Sequence, residues 1–407
     1  MAMGEMETAT ARVIMRDFAR LTGLDPAGTR PKRYLWTDAF AVCNYLELHR
    51  LTGEDLFRDL ALRLVDQVHH TLGQYRDDDR MRGWISGLGE AEGEEHPTIG
   101  GLRIGKGLPE RRPDEPPDER LEWDRDGQYY HYLTRWMHSL LKANHATGDP
   151  RYLRWALELA GTAHARFTYT SWQGGGKRMY WKMSTDLSRP LVTSMGQHDP
   201  PDGLVTYSEL ELARSRAPAS ATLPSVEVEI AELAGICRAV DLATDDPLGT
   251  GGLLSDSLLI ARILVEAGDG FPGERAGLRD LLGEILSAAL FGLDAFADSG
   301  CTGLPPDYRL AFRELGLAIG LSGVGELTRL IDEHPARFGE DSLRVQAEAL
   351  QPYLPLRETI TGFWREARNQ EAASWKEHRE INMVMLATSL VPAGYLGDGG
   401  VTSPEAP

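Results

Sequence analysis

Apolar residues fall at helical spacing along most of the chain. Leu56, Leu60, Ala61, Leu64 and Val68 recur three and four apart and paint one face of a helix apolar. The run before them, 38–50, carries Phe40, Ala41, Tyr45 and Leu48. Thr52-Gly53-Glu54 divides the two: the glycine suits a left-handed helix end, and the acidic residue suits the positive end of the next helix dipole. The spacing predicts an αα-hairpin. The same phrase returns as Thr147-Gly-Asp-Pro-Arg-Tyr152-Leu-Arg-Trp-Ala156-Leu157, with His69 and His164 at equal offsets. Repetition of a helix-turn-helix unit predicts a helical-repeat architecture.

The first hairpin covers about 34–75 and the second about 127–169. Between them, 76–126 is rich in glycine and proline, with little helical periodicity; Trp84, Ile85, Ile99, Leu102 and Ile104 give it enough apolar content to pack as an ordered loop. A second glycine-rich loop, 170–203, holds Lys177-Arg-Met-Tyr-Trp-Lys-Met183, whose alternation predicts a short β-ribbon. Further helices are expected at 203–215, 225–243, 252–267, 274–297, 305–321, 341–352, 355–371 and 376–391, with prolines near their starts and breaks. The expected organisation is one all-α domain over 1–397 and a flexible tail at 398–407.

Composition narrows the partners. A net charge of −18 argues against the basic surface that phosphate backbones select, so no nucleic-acid partner is expected. Unbroken apolar runs fall short of a membrane span and the N-terminus lacks the apolar stretch of a secretion signal, so the expectation is no membrane association and a cytoplasmic location. Cys43, Cys237 and Cys301 are scattered and read as buried free thiols. There is no HExxH or Cys/His quartet, Gly249-Thr-Gly-Gly lacks the ending of a P-loop, and the GLRIGKG run at 101–107 lacks a following helix signal. Neither a metal nor a cofactor is expected. His69 and His70, at the end of a helix, read as solvated histidines near its negative pole.

Counting hairpins gives five or six, and the inner helices open on junctions crowded with aromatic and ionisable groups: Trp36-Thr-Asp38, Trp123-Asp-Arg-Asp126, Gln197-His198-Asp199-Pro-Pro-Asp202, Gly249 to Asp256, Asp307-Tyr-Arg309 and Trp375-Lys-Glu-His378. With the TGDxxYxxxALxLA phrase, these openings make the chain resemble the six-hairpin glycosidase superfamily. The resemblance implies an (α/α)6 toroid over essentially the whole length and, for most members, action on carbohydrates as hydrolases, lyases or sugar epimerases. No family's catalytic motif matches residue by residue, so no role is carried over.

In such a ring the inner helix openings would share one rim. Asp199 and Asp202, three apart beside His198, could act as a general base, a hydroxyl clamp or a metal site, or Asp202 could merely cap its helix. Asp126 and Asp38 carry the same two readings, as an acid/base carboxylate or an N-cap. Trp36 and Trp123 could stack on a sugar or simply pack. Gln128, Tyr130 and His131 follow Asp126 on the helix opening. His378 and Asn382 share a helix face, and Arg309 and Arg313, four apart, could bind a substrate carboxylate or form interhelical ion pairs. Lys177, Tyr180, Trp181 and the neighbouring Lys182 could form a lid strand. The first expectation is a glycoside hydrolase acting on a small-molecule or oligosaccharide substrate, with an acid/base pair from Asp38, Asp126, Asp199 and Asp202. The alternatives are an epimerase or isomerase using His131, His198 or His378, a lyase using Arg309 or Arg313, and a non-catalytic scaffold.

Overall fold

The computed structural model describes residues 3–171, 174, 176–267, 275–339 and 341–397; the tail expected at 398–407 lies outside them. The helices are α1 (Met3–Leu21), α2 (Leu35–Thr52), α3 (Asp55–Leu72), α4 (Tyr130–Thr147), α5 (Pro150–Phe167), α6 (Asp199–Arg216), α7 (Glu227–Cys237), α8 (Pro247–Glu266), α9 (Arg275–Asp298), α10 (Ala311–Glu333), α11 (Asp341–Ala349), α12 (Pro355–Arg365) and α13 (Arg379–Leu390), with several shorter turns between them. The all-α class read from the sequence is what the structure holds. Where one domain was expected, the contacts group the chain into two compact units. The first is Val240–Asp398 with Met1–Phe18 and Arg50–Thr52; the second is Ala19–His49 and Gly53–Ala239.

The repeated phrase folds twice into the same turn. Gly53 ends α2 at φ 70°, ψ 6° and Gly148 ends α4 at the same angles, a left-handed conformation that glycine adopts without a Cβ clash. His49 Nδ1 meets the carbonyl of Glu54 at 3.1 Å, and Asn144 Nδ2 donates to the carbonyl of Asp149 at 3.1 Å, so each turn is tied the same way. Asp149 caps α5 through the Arg151 amide. In the second unit α4 packs on α3, α5 and α6, and α6 on α7.

His69 corrects the expectation of a solvated side chain. It is buried, its Nε2 accepts a hydrogen bond from Trp136 Nε1 at 3.2 Å, and its ring meets Trp136 and Trp155 edge-on. Burial lowers its pKa to about 3, so it is a neutral core residue. His70, half exposed, pairs with Glu94 as a surface histidine would.

The long loop is ordered, as its apolar content suggested: Trp84, Ile85, Leu102 and Ile104 are all buried. The alternating segment 177–183 divides between two sheets instead of forming one ribbon. Lys177–Met179 (β3) pairs antiparallel with Thr168–Thr170 (β2), whereas Lys182–Met183 (β4) lies between Gln128–Tyr129 (β1) and Pro190–Val192 (β5). The break falls at Tyr180 and Trp181.

In the first unit α10 is the central helix, packed on α8, α12 and α13, and α8 also packs on α9. Among the described residues one helix, α8, is long and apolar enough to cross a membrane, but 72% of its apolar window is buried within the fold, as for a core helix. It approaches α10 backbone to backbone: a Cβ on Gly251 would stand 2.1 Å from the carbonyl oxygen of Gly316. Gly251→Ala is therefore expected to cost about 1–3 kcal/mol by overpacking, read as a lower midpoint of urea unfolding with an unchanged slope.

Candidate functional site

A cleft of about 470 Å³ opens in the second unit. Three aromatic rings line it, each delivered by a different local device. Trp123 follows a one-turn helix, Glu119–Glu122, whose N-cap Asp118 accepts the amides of Arg120 and Leu121. Tyr129 stands on β1, and Trp181 occupies the break between β3 and β4, where its amide donates to the carbonyl of Ser194. Trp123 and Trp181 meet at 5.0 Å and 77°, and Trp181 and Tyr129 at 5.3 Å. Trp123 remains 55% exposed.

His131, in the first turn of α4, extends this aromatic group. Its ring stacks on Tyr129 at 5.3 Å and on Trp181 at 6.2 Å, and meets Tyr132 edge-on at 4.9 Å. Tyr132 in turn shares a 2.6 Å hydroxyl contact with Tyr34. The His131 side chain keeps 28% of its surface exposed, and its Nδ1 lies 3.4 Å from Asp199 Oδ1. Asp199 is buried at the start of α6, and its Oδ2 has no hydrogen-bond donor among the described residues. A partly exposed imidazole beside a carboxylate can take up or deliver a proton.

Under the cleft lies Lys182, whose ammonium is fully buried. It donates to the carbonyls of Glu122 at 2.6 Å and Arg125 at 2.8 Å and to Glu122 Oε1 at 3.1 Å. Burial lowers its pKa and the Glu122 carboxylate opposes that shift. The second oxygen of Glu122 binds Arg111 Nε at 3.1 Å, so the cations here are neutralised from below.

The other expected site residues are placed elsewhere, for identifiable reasons. Asp126, expected as an acid/base carboxylate, is buried with Arg103 Nη1 at 2.5 Å and Arg76 Nη1 at 3.6 Å, and accepts the amides of Gly105 and Lys106. Asp202, also expected to be catalytic, is buried between Thr134 Oγ1 at 2.5 Å and Arg135 Nη1 at 2.8 Å. Asp38 is buried 3.4 Å from Arg33 and accepts the Tyr34 amide at 2.9 Å; burial outweighs the arginine and raises its carboxyl to about 6. These three carboxylates are buried beside arginines and do not line this cleft.

Gln128 binds the loop, accepting the Leu102 amide and donating to the carbonyls of Gly100 and Thr185. Tyr130 turns into the core against Phe167, and Trp36 packs on Phe40. His198 is half-buried at the N-cap of α6 without capping it. Lys177 pairs with Glu232, which also takes His164, and Tyr180 stacks on Tyr169 at 4.2 Å.

In the first unit, Arg309 is buried in an ion pair with Glu314, with its guanidinium 3.9 Å from the centre of the Phe363 ring. Arg313 pairs with Asp246 at 2.9 Å, Asn382 donates to the Trp375 carbonyl at 3.0 Å, and His378 stands edge-on to Phe312. Both arginines thus take the ion-pair reading. Of the expected residues, the structure brings together Trp123, Trp181, His131 and Asp199. Sequence reasoning missed Asp118, Glu119, Tyr129 and Tyr132; the unbroken aromatic run Tyr129-Tyr130-His131-Tyr132 was the available signal.

No protein-family model matches the chain, and no curated protein matches it. Similar solved structures include a sugar epimerase from a ruminal bacterium, at 12% identity and TM-score 0.46 over 88% of each chain. Another is the cellobiose 2-epimerase of Spirochaeta thermophila, at 14% identity and TM-score 0.45 over 94% of this chain and 98% of that one. A third is a GH76 α-mannanase of Bacteroides thetaiotaomicron, at 11% identity and TM-score 0.48 over 95% and 96%. All three are named as enzymes that act on sugars. At this distance they transfer no residue or reaction to this chain.

Two outcomes follow from the buried carboxylates. Asp126→Ala leaves Arg103 buried without its counter-charge and is expected to cost about 3–5 kcal/mol, measured by urea unfolding. For Asp38 the folded carboxyl binds its proton more tightly than the unfolded one, so its ionisation weakens the fold as pH rises from about 4 through about 6. The stability of Asp38→Asn relative to the unaltered protein should therefore improve across that interval; a difference independent of pH would contradict the raised value.

Proposed function

We propose that this protein is a carbohydrate-active enzyme and that it moves a proton on a sugar, as an isomerase or epimerase does. The observation that supports this reading is His131: partly exposed, stacked on two rings of an aromatic cleft and backed by Asp199 at 3.4 Å. Aromatic faces suit the apolar C–H face of a pyranose. Three of the four carboxylates that would supply a hydrolytic pair are instead held by Arg33, Arg103 and Arg135. Acid/base hydrolysis needs two carboxyls facing the scissile bond across roughly 5–9.5 Å, and buried ion-paired groups do not serve that purpose.

In the reaction, the open-chain aldose presents C2 to the free nitrogen of His131. The imidazole removes the C2 proton, and the C–H electron pair forms an enediolate with the carbonyl. The hydroxyl proton at O2 passes to O1, and return of the imidazolium proton to C1 gives the ketose. Asp199 stabilises the imidazolium formed between these steps.

A hydrolase remains the second reading, because Asp118 and Glu119 place two carboxylates on the cleft wall. Incubating the protein with aldoses and disaccharides in D2O separates the two. Proton transfer incorporates deuterium at C1 or C2, whereas hydrolysis releases new reducing ends without carbon-bound deuterium. His131→Gln is expected to lower deuterium incorporation about 100-fold or more with the fold retained by circular dichroism. Unchanged incorporation would remove His131 from the chemistry.

A further inference from the structure

We propose that the paired hydroxyls of Tyr34 and Tyr132 carry the proton from O2 to O1 of the sugar, with Tyr132 as a catalytic residue and Tyr34 as its positioning residue. The inference rests on the proton-transfer reading of His131 given above and assigns a step that the imidazole does not perform.

Removal of the C2 proton leaves O1, the former carbonyl oxygen, negatively charged, while O2 keeps its hydroxyl proton. The ketose forms only when O1 gains a proton and O2 loses one. His131 at that moment holds the proton taken from carbon, so the oxygens need a group of their own that both donates and accepts. A phenol does both, because its hydroxyl carries one proton and two lone pairs.

Tyr132 stands where such a group is needed. It follows His131 in α4, and its ring meets the imidazole edge-on at 4.9 Å. Its hydroxyl lies 2.6 Å from that of Tyr34, a short O–H···O spacing, and the pair is only part-buried. Of two facing hydroxyls one donates to the other, which leaves the acceptor's own proton to be given outward. With Tyr34 as the donor, the Tyr132 O–H bond breaks as the O1–H bond forms. The O2–H bond then breaks as the Tyr132 O–H bond is restored, and the phenol is unchanged over the cycle. Burial, with Tyr34 close by, raises the Tyr132 phenol well above its ordinary range, so it gives up its proton only as the next arrives.

The pair is held by ties along the backbone. The Tyr34 amide donates to Asp38 Oδ2 at 2.9 Å, and the next amide, Leu35, to the carbonyl of Ile104 at 3.0 Å. Two residues beyond Ile104, the Lys106 amide donates to Asp126 Oδ1 at 3.3 Å, and the Lys106 ammonium stands 5.4 Å from the centre of the Tyr34 ring. A cation there favours the negative charge that passes through the hydroxyls.

The test uses the whole protein in D2O with glucose, mannose and maltose, following by NMR both ketose formation and deuterium at C2 of the recovered aldose. Tyr132→Phe keeps the ring and removes the hydroxyl. It should lower ketose formation about 100-fold with KM changed less than about twofold. An enediolate that cannot exchange its oxygen protons returns to the aldose, so C2 deuteration should fall far less. The ratio of deuteration to ketose is therefore expected to rise about tenfold or more. Tyr34→Phe should move the same ratio in the same direction with a smaller loss of rate, and it decides the matter if Tyr132→Phe folds poorly by circular dichroism.

A ratio that stays constant, whether both rates persist or both fall together, would assign the tyrosines to packing and overturn the proposal. Deuteration at C2 without any ketose in the unaltered protein would overturn it too, while leaving His131 as the carrier of the carbon proton. Neither deuteration nor ketose from any of the three sugars would overturn this inference together with the reading on which it rests.

Discussion

The carboxylate of Asp126 is the contact on which the site depends. It lies at the seam between the long loop and β1, and it binds Arg103, Arg76 and two loop amides at once. A buried charge is tolerated only when opposite charges and donors surround it, and here they come from the far end of the loop. Two residues later Gln128 repeats the connection with neutral bonds to Leu102, Gly100 and Thr185. With both links in place, Trp123, Tyr129 and His131 emerge from a rigid base on either side of the seam.

The aromatic cluster then follows from chain geometry. The segment 177–183 divides between two sheets, because β3 pairs with the strand that leaves α5 while β4 pairs with the strand that enters α4. The switch between sheets turns Trp181 towards Trp123 and Tyr129. Lys182, the next residue, points the opposite way into the Glu122 and Arg125 carbonyls, consistent with the alternation of side chains along a strand. A packed interior on one side and an open aromatic wall on the other are thus two consequences of one short strand.

Much of the fold was legible because its signals are local. Apolar spacing located the helices, and the Thr-Gly phrase located turns that share backbone angles at Gly53 and Gly148. Parts of the site were legible for the same reason: Trp123, Trp181, His131 and Asp199 stood out as aromatic or ionisable groups at helix openings and in the second loop. Asp118 and Glu119 did not stand out, since an acidic pair in a charged loop has no distinguishing local pattern. Asp38, Asp126 and Asp202 stood out without facing the cleft, because an acid that serves an ion pair and an acid that serves catalysis look alike until their neighbours are known.

The sequence by itself determined the all-helical class and the hairpin turns, since each depends on residues within a few positions of one another. Tertiary structure alone decided which carboxylates were neutralised. Arg103 lies far from Asp126 along the chain, Thr134 and Arg135 far from Asp202, and the Trp136 ring that receives His69 far from that histidine. Charge pairing and burial act across space, and no periodicity along the chain records them.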